Sequence, residues 1–223
     1  MLPLTGFRDQ ELVIPAEDGN ELYIFNPNGR HLYTIDTMTG TIKYSFEYNE
    51  NGKLIGINDL DGNKTSIERD GTGNVSVIVG PYGQRTTLLI NSDGYLANVS
   101  NPANETARLT YHDGGLLATM TDPKGNVHRY TYDELGRLTK DEDPAGGYTA
   151  LERKETDNGY LVTSTTGKDA TSTYVATYLT ETLSTGETKQ ITEGCCGEPT
   201  ETIISQDGSK KVNYPNGTVV TTV

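Results

Sequence analysis

Residues 131–147 read TYDELGRLTKDEDPAGG, and how this stretch is understood decides the fold. Asp141, Glu142 and Asp143 stand side by side in it, inviting a metal-site or acid/base reading. The other reading is that these acids belong to turns and that the stretch is one copy of a repeat. The spacing of glycines along the rest of the chain separates the two.

Gly52, Gly73, Gly94, Gly115 and Gly136 recur at intervals of 21 residues without a slip. A second column follows at Asp59, Gly80, Asn101, Asp122 and Asp143, and a third at Gly62, Gly83, Asn104, Gly125 and Gly146. Fixed periodicity of this size is the signature of a repeat architecture. Each unit holds two turns. The first runs from Asn49, Asp70, Asn91, His112 or Asp133 to the glycine three residues on. The second starts in the Asp59 column and carries proline next at Pro81, Pro102, Pro123 and Pro144. Asx at i, Pro at i+1 and Gly at i+3 fit a type I turn, because the short side chain caps the backbone and proline pre-sets φ. A glycine at positive φ then completes a three-residue hairpin loop with a bulge. Asn104 stands in for glycine once, and asparagine tolerates that conformation better than other side chains.

Six or seven residues separate the turns, an ordinary strand length. Ile67, Leu88, Leu109, Tyr130 and Leu151 form one column, flanked by Thr65, Thr86, Ala107, His128 and Thr149 before it and by Arg69, Ile90, Tyr111, Tyr132 and Arg153 after it. In the other strand Leu54, Val75, Leu96, Leu117 and Leu138 align, and three residues later come Ile57, Ile78, Val99, Met120 and Asp141. A step of three breaks alternation, so a bulge is expected there. Burying one Leu or Ile contributes about 1.5–3 kcal/mol. With so few per unit, no unit is expected to fold alone and neighbours must share one sheet. The expected fold is all-β, an antiparallel β-meander of 21-residue two-strand repeats.

The regular array spans residues 47–153. Residues 1–46 read as leader strands, with the turn repeated at Asn26-Pro27-Asn28-Gly29. Residues 154–223 read as degenerate Thr/Ser-rich β-hairpin repeats; Asp207-Gly208 and Asn216-Gly217 there suggest two-residue type I′ turns.

Composition agrees with architecture more than with catalysis. Hydrophobic residues make up 33%, with no Trp and 3 Phe, too few bulky groups for a conventional core. The net charge of −13 argues against nucleic acid as a partner, because phosphate binding needs a concentrated basic surface. No apolar run approaches the ~20 residues of a membrane helix, and the start has no signal-peptide pattern. The adjacent Cys195 and Cys196 are read as free or partnered elsewhere, since two thiols cannot complete a zinc site.

Tyr132-Asp133-Glu134-Leu135-Gly136-Arg137-Leu138, continuing to Asp143-Pro144-Ala145-Gly146, resembles the YD-repeat family, also called RHS repeats. Asp122-Pro123-Lys124-Gly125-Asn126 is a further close match, while Tyr48-Asn49 and Tyr111-His112 are weaker ones. The resemblance is specific over residues 47–153 and thin beyond Arg153. It implies a segment of a larger, spiralling β-shell, on a chain too short to close one. In bacterial polymorphic toxins and insecticidal toxin complexes such shells enclose a toxin domain, and in teneurins a similar shell serves adhesion. The resemblance therefore implies a secreted or cell-surface protein. Its partners would be the rest of its own shell and an encapsulated toxin domain, or alternatively a glycan or cell-surface protein.

The acidic and histidine residues also admit enzyme readings. Two carboxylates can form a glycosidase pair, but Asp122 and Asp143 fall on turn columns, and Glu142 has no acidic counterpart in other copies. The stretch from Asn58 to Glu68 distantly resembles a calcium loop, with Gly62 misplaced. His31, His112 and His128 have neither triad nor zinc spacing. Packing between strands explains the recurrent tyrosines more simply than sugar stacking does. Sequons at Asn63, Asn74, Asn98, Asn104 and Asn216 matter only in a glycosylating host. No catalytic, cofactor-binding or metal residue is assigned. Only Asp141 departs from the pattern, where four other copies place an apolar residue.

Overall fold

The computed structural model describes residues 7–8, 11–168, 172–194 and 197–222. Cys195 and Cys196 lie outside the described residues. The chain divides into two compact units, residues 1–107 and 108–223. Every regular element among the described residues is a strand.

The first unit contains β1 (Phe7–Arg8), β2 (Glu11–Pro15), β3 (Glu21–Phe25), β4 (His31–Asp36) and β5 (Ile42–Tyr48). It continues with β6 (Leu54–Asp59), β7 (Lys64–Arg69), β8 (Val75–Val79), β9 (Arg85–Ile90) and β10 (Leu96–Ser100). Each strand pairs antiparallel with the next in sequence. The strand β11 (Thr106–Tyr111) crosses the boundary. The second unit follows with β12 (Leu117–Thr121), β13 (Val127–Tyr132), β14 (Leu138–Glu142), β15 (Tyr148–Thr156) and β16 (Gly159–Gly167). Its last members are β17 (Thr173–Thr182), β18 (Thr188–Glu193), β19 (Thr200–Ile204), β20 (Lys210–Asn213) and β21 (Val219–Thr222). From β11 onward the pairing is again sequential and antiparallel. The β-meander expected from the columns is the observed fold.

The backbone bonds of the turns recur copy by copy, even at Gly80, which has no side chain to cap its turn. Asp59 accepts the Gly62 N–H at 3.1 Å through its carbonyl, and its own N–H donates to the Asn63 carbonyl at 3.0 Å. Its carboxylate meanwhile accepts from the N–H groups of Asp61 and Asn63. Gly62 has φ +81°, the bulge conformation that closes such a loop. Asn104 takes φ +62°, as its glycine column requires. His112 is different: both Gly114 and Gly115 have φ +89°, and positive φ at the third turn residue marks type II. An imidazole cannot cap the turn as Asx does, and the second glycine allows the other geometry.

The type I′ expectation fails at both C-terminal turns. A two-residue I′ loop needs positive φ at both central residues. Here only Gly208 (φ +87°) and Gly217 (φ +81°) adopt it. The closing bonds run from Gly208 N–H to the Ser205 carbonyl and from Gly217 N–H to the Tyr214 carbonyl. Both are therefore the same three-residue loop as in the array, begun two residues earlier.

The three-residue step is a bulge, repeated at each copy. Glu47 faces Gly56 and Tyr48 faces Leu54, so Ile55 is left without an opposite residue. The same offset passes over Ser76, Ala97, Ala118 and Thr139. One extra residue restores alternation, so Leu54 and Ile57 share a face with Tyr48 and Phe46, which oppose them. Leu32 is passed over in the same way between β3 and β4. The leader hairpin is thus built like the array hairpins. After Arg153 the periodicity ends because the strands lengthen: β15 and β16 have 9 residues and β17 has 10.

The face that collects these columns has almost no interior. Among the described residues the buried side chains on this face are Ala176 and Thr34, while buried Val13 and Ile24 oppose each other on the other face. Most of the Leu and Ile columns remain half-buried, and Ile78 and Leu138 are exposed.

Candidate functional site

The three acids that opened the sequence take different local partners. The Asp143 carboxylate accepts from the N–H groups of Ala145 and Gly147 at 2.7 and 3.0 Å, as a turn cap does. Glu142 takes the Lys140 ammonium at 2.9 Å in a half-exposed pair. Asp133 caps the partner turn and holds the Arg137 guanidinium at 2.7 Å. The Arg137 backbone and side-chain hydrogen bonds keep the Asp133 carboxyl below its usual range. Asp122 is lowered similarly, chiefly by the Asn126 side chain. These are structural acids, each matched to a local donor.

Asp141 is not. It faces Tyr130 on β13 and Thr149 on β15, on the face of the apolar columns. Its Oδ1 is shielded from solvent and has no hydrogen-bond partner. Burial, followed by the Asp141 charge, pushes the Tyr130 phenol above its usual value. Around Asp141 lies a groove of 490 Å³, lined by His128, Asp143, Tyr148, Thr149 and Thr166, among others. A second groove, of 400 Å³, runs over Leu138, Leu151 and Val162 between the charged groups of Asp133, Arg137, Glu152 and Arg153. Among the described residues no three His, Cys, Asp or Glu side chains group to hold a metal ion.

The same column carries a second polar residue, with a different outcome. Thr34 occupies the Ile57 position of the leader hairpin and is 3% exposed. Its hydroxyl meets His31 Nε2 at 3.2 Å, and that nitrogen also lies 3.1 Å from the Tyr33 carbonyl. The His31 ring stacks between Phe25 and Phe46, with centroids at 4.8 and 4.1 Å, and Tyr23 meets it edge-on at 5.8 Å. Burial in this stack lowers the imidazole below its ordinary value. In the sequence His31 has neither triad nor zinc spacing. Placing residues 21–40 on the repeat columns, with Phe25 at the Tyr48 position and His31 at the Leu54 position, would have found it. His112 meets Tyr132 edge-on and approaches the Tyr130 carbonyl at 3.0 Å, while His128 lines the Asp141 groove.

Comparison with known proteins agrees with the repeat. The sequence model of the Teneurin YD-shell family matches residues 9–223, extending well past residue 153. Teneurin-4 of Mus musculus is 40% identical over 73 residues, covering 33% of this chain and 3% of that protein. Teneurin-m of Drosophila melanogaster is 43% identical over 72 residues, covering 31% of this chain and 3% of its own length. This chain therefore matches only a small part of these relatives. A solved structure titled TcdB2-TccC3-TEV aligns over 94% of this chain and 15% of its own, at 13% identity and a TM-score of 0.38. With the repeat columns, the recurring bulge and a family match along nearly the whole chain, the protein belongs to the teneurin YD-shell family.

Proposed function

We propose that this chain is a non-enzymatic wall segment of a larger β-shell, with leader strands over residues 1–46, repeats over 47–153 and degenerate hairpins over 154–223. The observation that carries the reading is the apolar face left without cover. The chain exposes 14828 Å², whereas a globular monomer of 24.3 kDa exposes about 10,000 Å². A sheet this poor in buried side chains needs further protein against it. The rest of the shell, and a polypeptide enclosed by it such as a toxin domain, supply that cover. The setting is a secreted or cell-surface protein.

The two faces give the test. Leu88 is half-buried on the apolar face, and its neighbour Leu89 is 54% exposed on the other. In the intact protein, Leu88→Cys should resist a large polyethylene-glycol maleimide that labels Leu89→Cys readily. Equal labelling of both would sink the wall reading. A second reading, adhesion to a glycan or cell-surface protein, draws on Tyr82 and Tyr174, 81% and 51% exposed, and on the likeness to teneurins. Loss of surface binding in Tyr82→Ala with an unchanged labelling pattern would favour it.

A further inference from the structure

We propose that the edge of the first unit carrying the turns Asp36–Gly40, Asp59–Gly62 and Gly80–Gly83 docks a basic amphipathic α-helix of a partner polypeptide. Sequential antiparallel pairing sends alternate turns to opposite edges of a sheet, so these three stand in a row on one edge. At their tips Met38, Leu60 and Tyr82 are 89%, 63% and 81% exposed. Exposed apolar residues scattered singly need no explanation. These are not scattered. On the opposite edge, the turns that start at Asn26, Asn49, Asp70 and Asn91 carry no large apolar side chain before their closing glycine. The tips are also held in place. Asp36 Oδ1 accepts from the N–H groups of Met38 and Thr39 at 3.0 and 2.8 Å, and Asp59 Oδ1 from that of Asp61 at 2.9 Å. Tyr82 donates its N–H to Gln84 Oε1 at 3.2 Å. Side chains on such fixed turns lose little freedom when a partner covers them.

Spacing and charge select the partner. Turns two strands apart are separated by about 9.4–9.8 Å. A helix returns nearly the same face every seven residues, about 10.5 Å. An extended strand does so every ~6.7 Å and falls out of step with the turns. The turns of this edge from Ala16 to Gly83 hold Glu17, Asp18, Asp36, Asp59 and Asp61, and neither Lys nor Arg. The bases at the feet of the turns, Lys43, Lys64 and Arg85, are engaged by Glu21, Glu47 and Glu68. Lys or Arg beside the apolar stripe of a helix therefore complements the row. A second copy of this chain fits less well. Three side chains offer less than the ~800 Å² that each partner of a stable pair buries, and the pairing would set acid against acid. The row stands on the rim and on neither face of the sheet. The assignment thus goes beyond the wall role, and the labelling of Leu88→Cys and Leu89→Cys leaves it untouched.

A fluorescein-labelled, capped peptide of three heptads tests this on the intact protein by anisotropy, with Leu at the first and fourth positions, Lys at the fifth and seventh, and Ala or Gln elsewhere. It should bind about tenfold more tightly than a scrambled peptide of the same composition. Met38→Ser, Leu60→Ser and Tyr82→Ser combined should weaken it about tenfold and leave the urea midpoint unchanged, because all three side chains stand clear of the sheet. Leu135→Ser, at a 76% exposed turn tip in the second unit, should leave binding unchanged. Met38→Ser with Leu60→Ser spares the Tyr82 of the adhesion reading and should still weaken binding. No effect of that pair would leave Tyr82 acting alone and overturn the row. Absence of binding, equal binding of the scrambled peptide, full binding by the triple variant or a lowered midpoint in it would each overturn the proposal. So would self-association, or flotation with phosphatidylcholine vesicles, that the triple variant abolishes, since the row would then serve a second copy or a lipid surface.

Discussion

The Tyr48 hydroxyl donates to the main-chain carbonyl of His31 at 2.9 Å, tying the last strand residue before one turn to the strand that leaves the preceding turn on the same edge. One repeat later Arg69 replaces tyrosine, and its guanidinium donates to the carbonyl of Leu54, the residue equivalent to His31, at 3.0 Å. Two unlike side chains thus make the same tie. Arg69 adds a bond to the Gly73 carbonyl at 3.1 Å but leaves its buried Nε without a partner. Reach and a donor are what tyrosine and arginine share here, so the tie survives the loss of the aromatic ring at Arg69, whereas Ile90 in the same column has no donor to make it.

Tyr48→Phe keeps the ring and removes only the donor. It should lower stability by about 0.5–1.5 kcal/mol, read as a reduced urea midpoint at unchanged slope. No change in midpoint would mean that water replaces the tie without loss.

Gly62 isolates the cost of the turn conformation. A Cβ built there meets nothing within 4 Å, so only φ +81° opposes a side chain. Gly62→Ala should cost about 1–2 kcal/mol, and Gly62→Asn appreciably less, as Asn104 already illustrates. Equal losses for Ala and Asn would show that left-handed tolerance is not what matters at this column.

The His31 stack makes stability pH-dependent with a definite sign. Burial lowers its folded pKa below the ordinary 6.5, so the unfolded chain binds the proton more readily. Stability is full above the unfolded value and is lost as pH falls from about 6.5 through the lowered folded value. His31→Leu should flatten that part of the profile. An imidazole NMR titration with a midpoint above 6.5 would contradict the stack.

The Asp133 and Asp122 carboxyls act over a lower range. Their folded pKa values lie below 3.8 through local hydrogen bonds. Their contribution is present above that value and disappears as pH falls through the depressed ones. Asp122→Asn keeps the capping acceptor while removing the charge, so the acid limb should weaken and the turn remain. A melting temperature lowered equally at pH 7 and pH 3 would argue that the charge has no part in the cap.

Much of this was legible in the residues themselves. Turn position, the bulge and the shared face of Leu54 and Ile57 follow from backbone rules acting over a few residues, and each copy repeats the message. The two C-terminal turns were misjudged because Asp207-Gly208 and Asn216-Gly217 carry the right dipeptide for one loop while the strand ends select another. Loop type depends on where the ladder stops, and no dipeptide encodes that. The His31 sandwich was missed for a related reason. Phe25, His31 and Phe46 lie on three different strands, and only the ladder brings them to within stacking distance.

The acid run at residues 141–143 divides along the same line. That Asp143 caps a turn was decided by sequence alone, since its donors lie within four residues and the chemistry is local. That Asp141 ends with a shielded, unpartnered oxygen beside a groove was decided only by tertiary structure. Solvent exclusion there depends on side chains from neighbouring strands, and a carboxylate's need for a partner is set by what surrounds it.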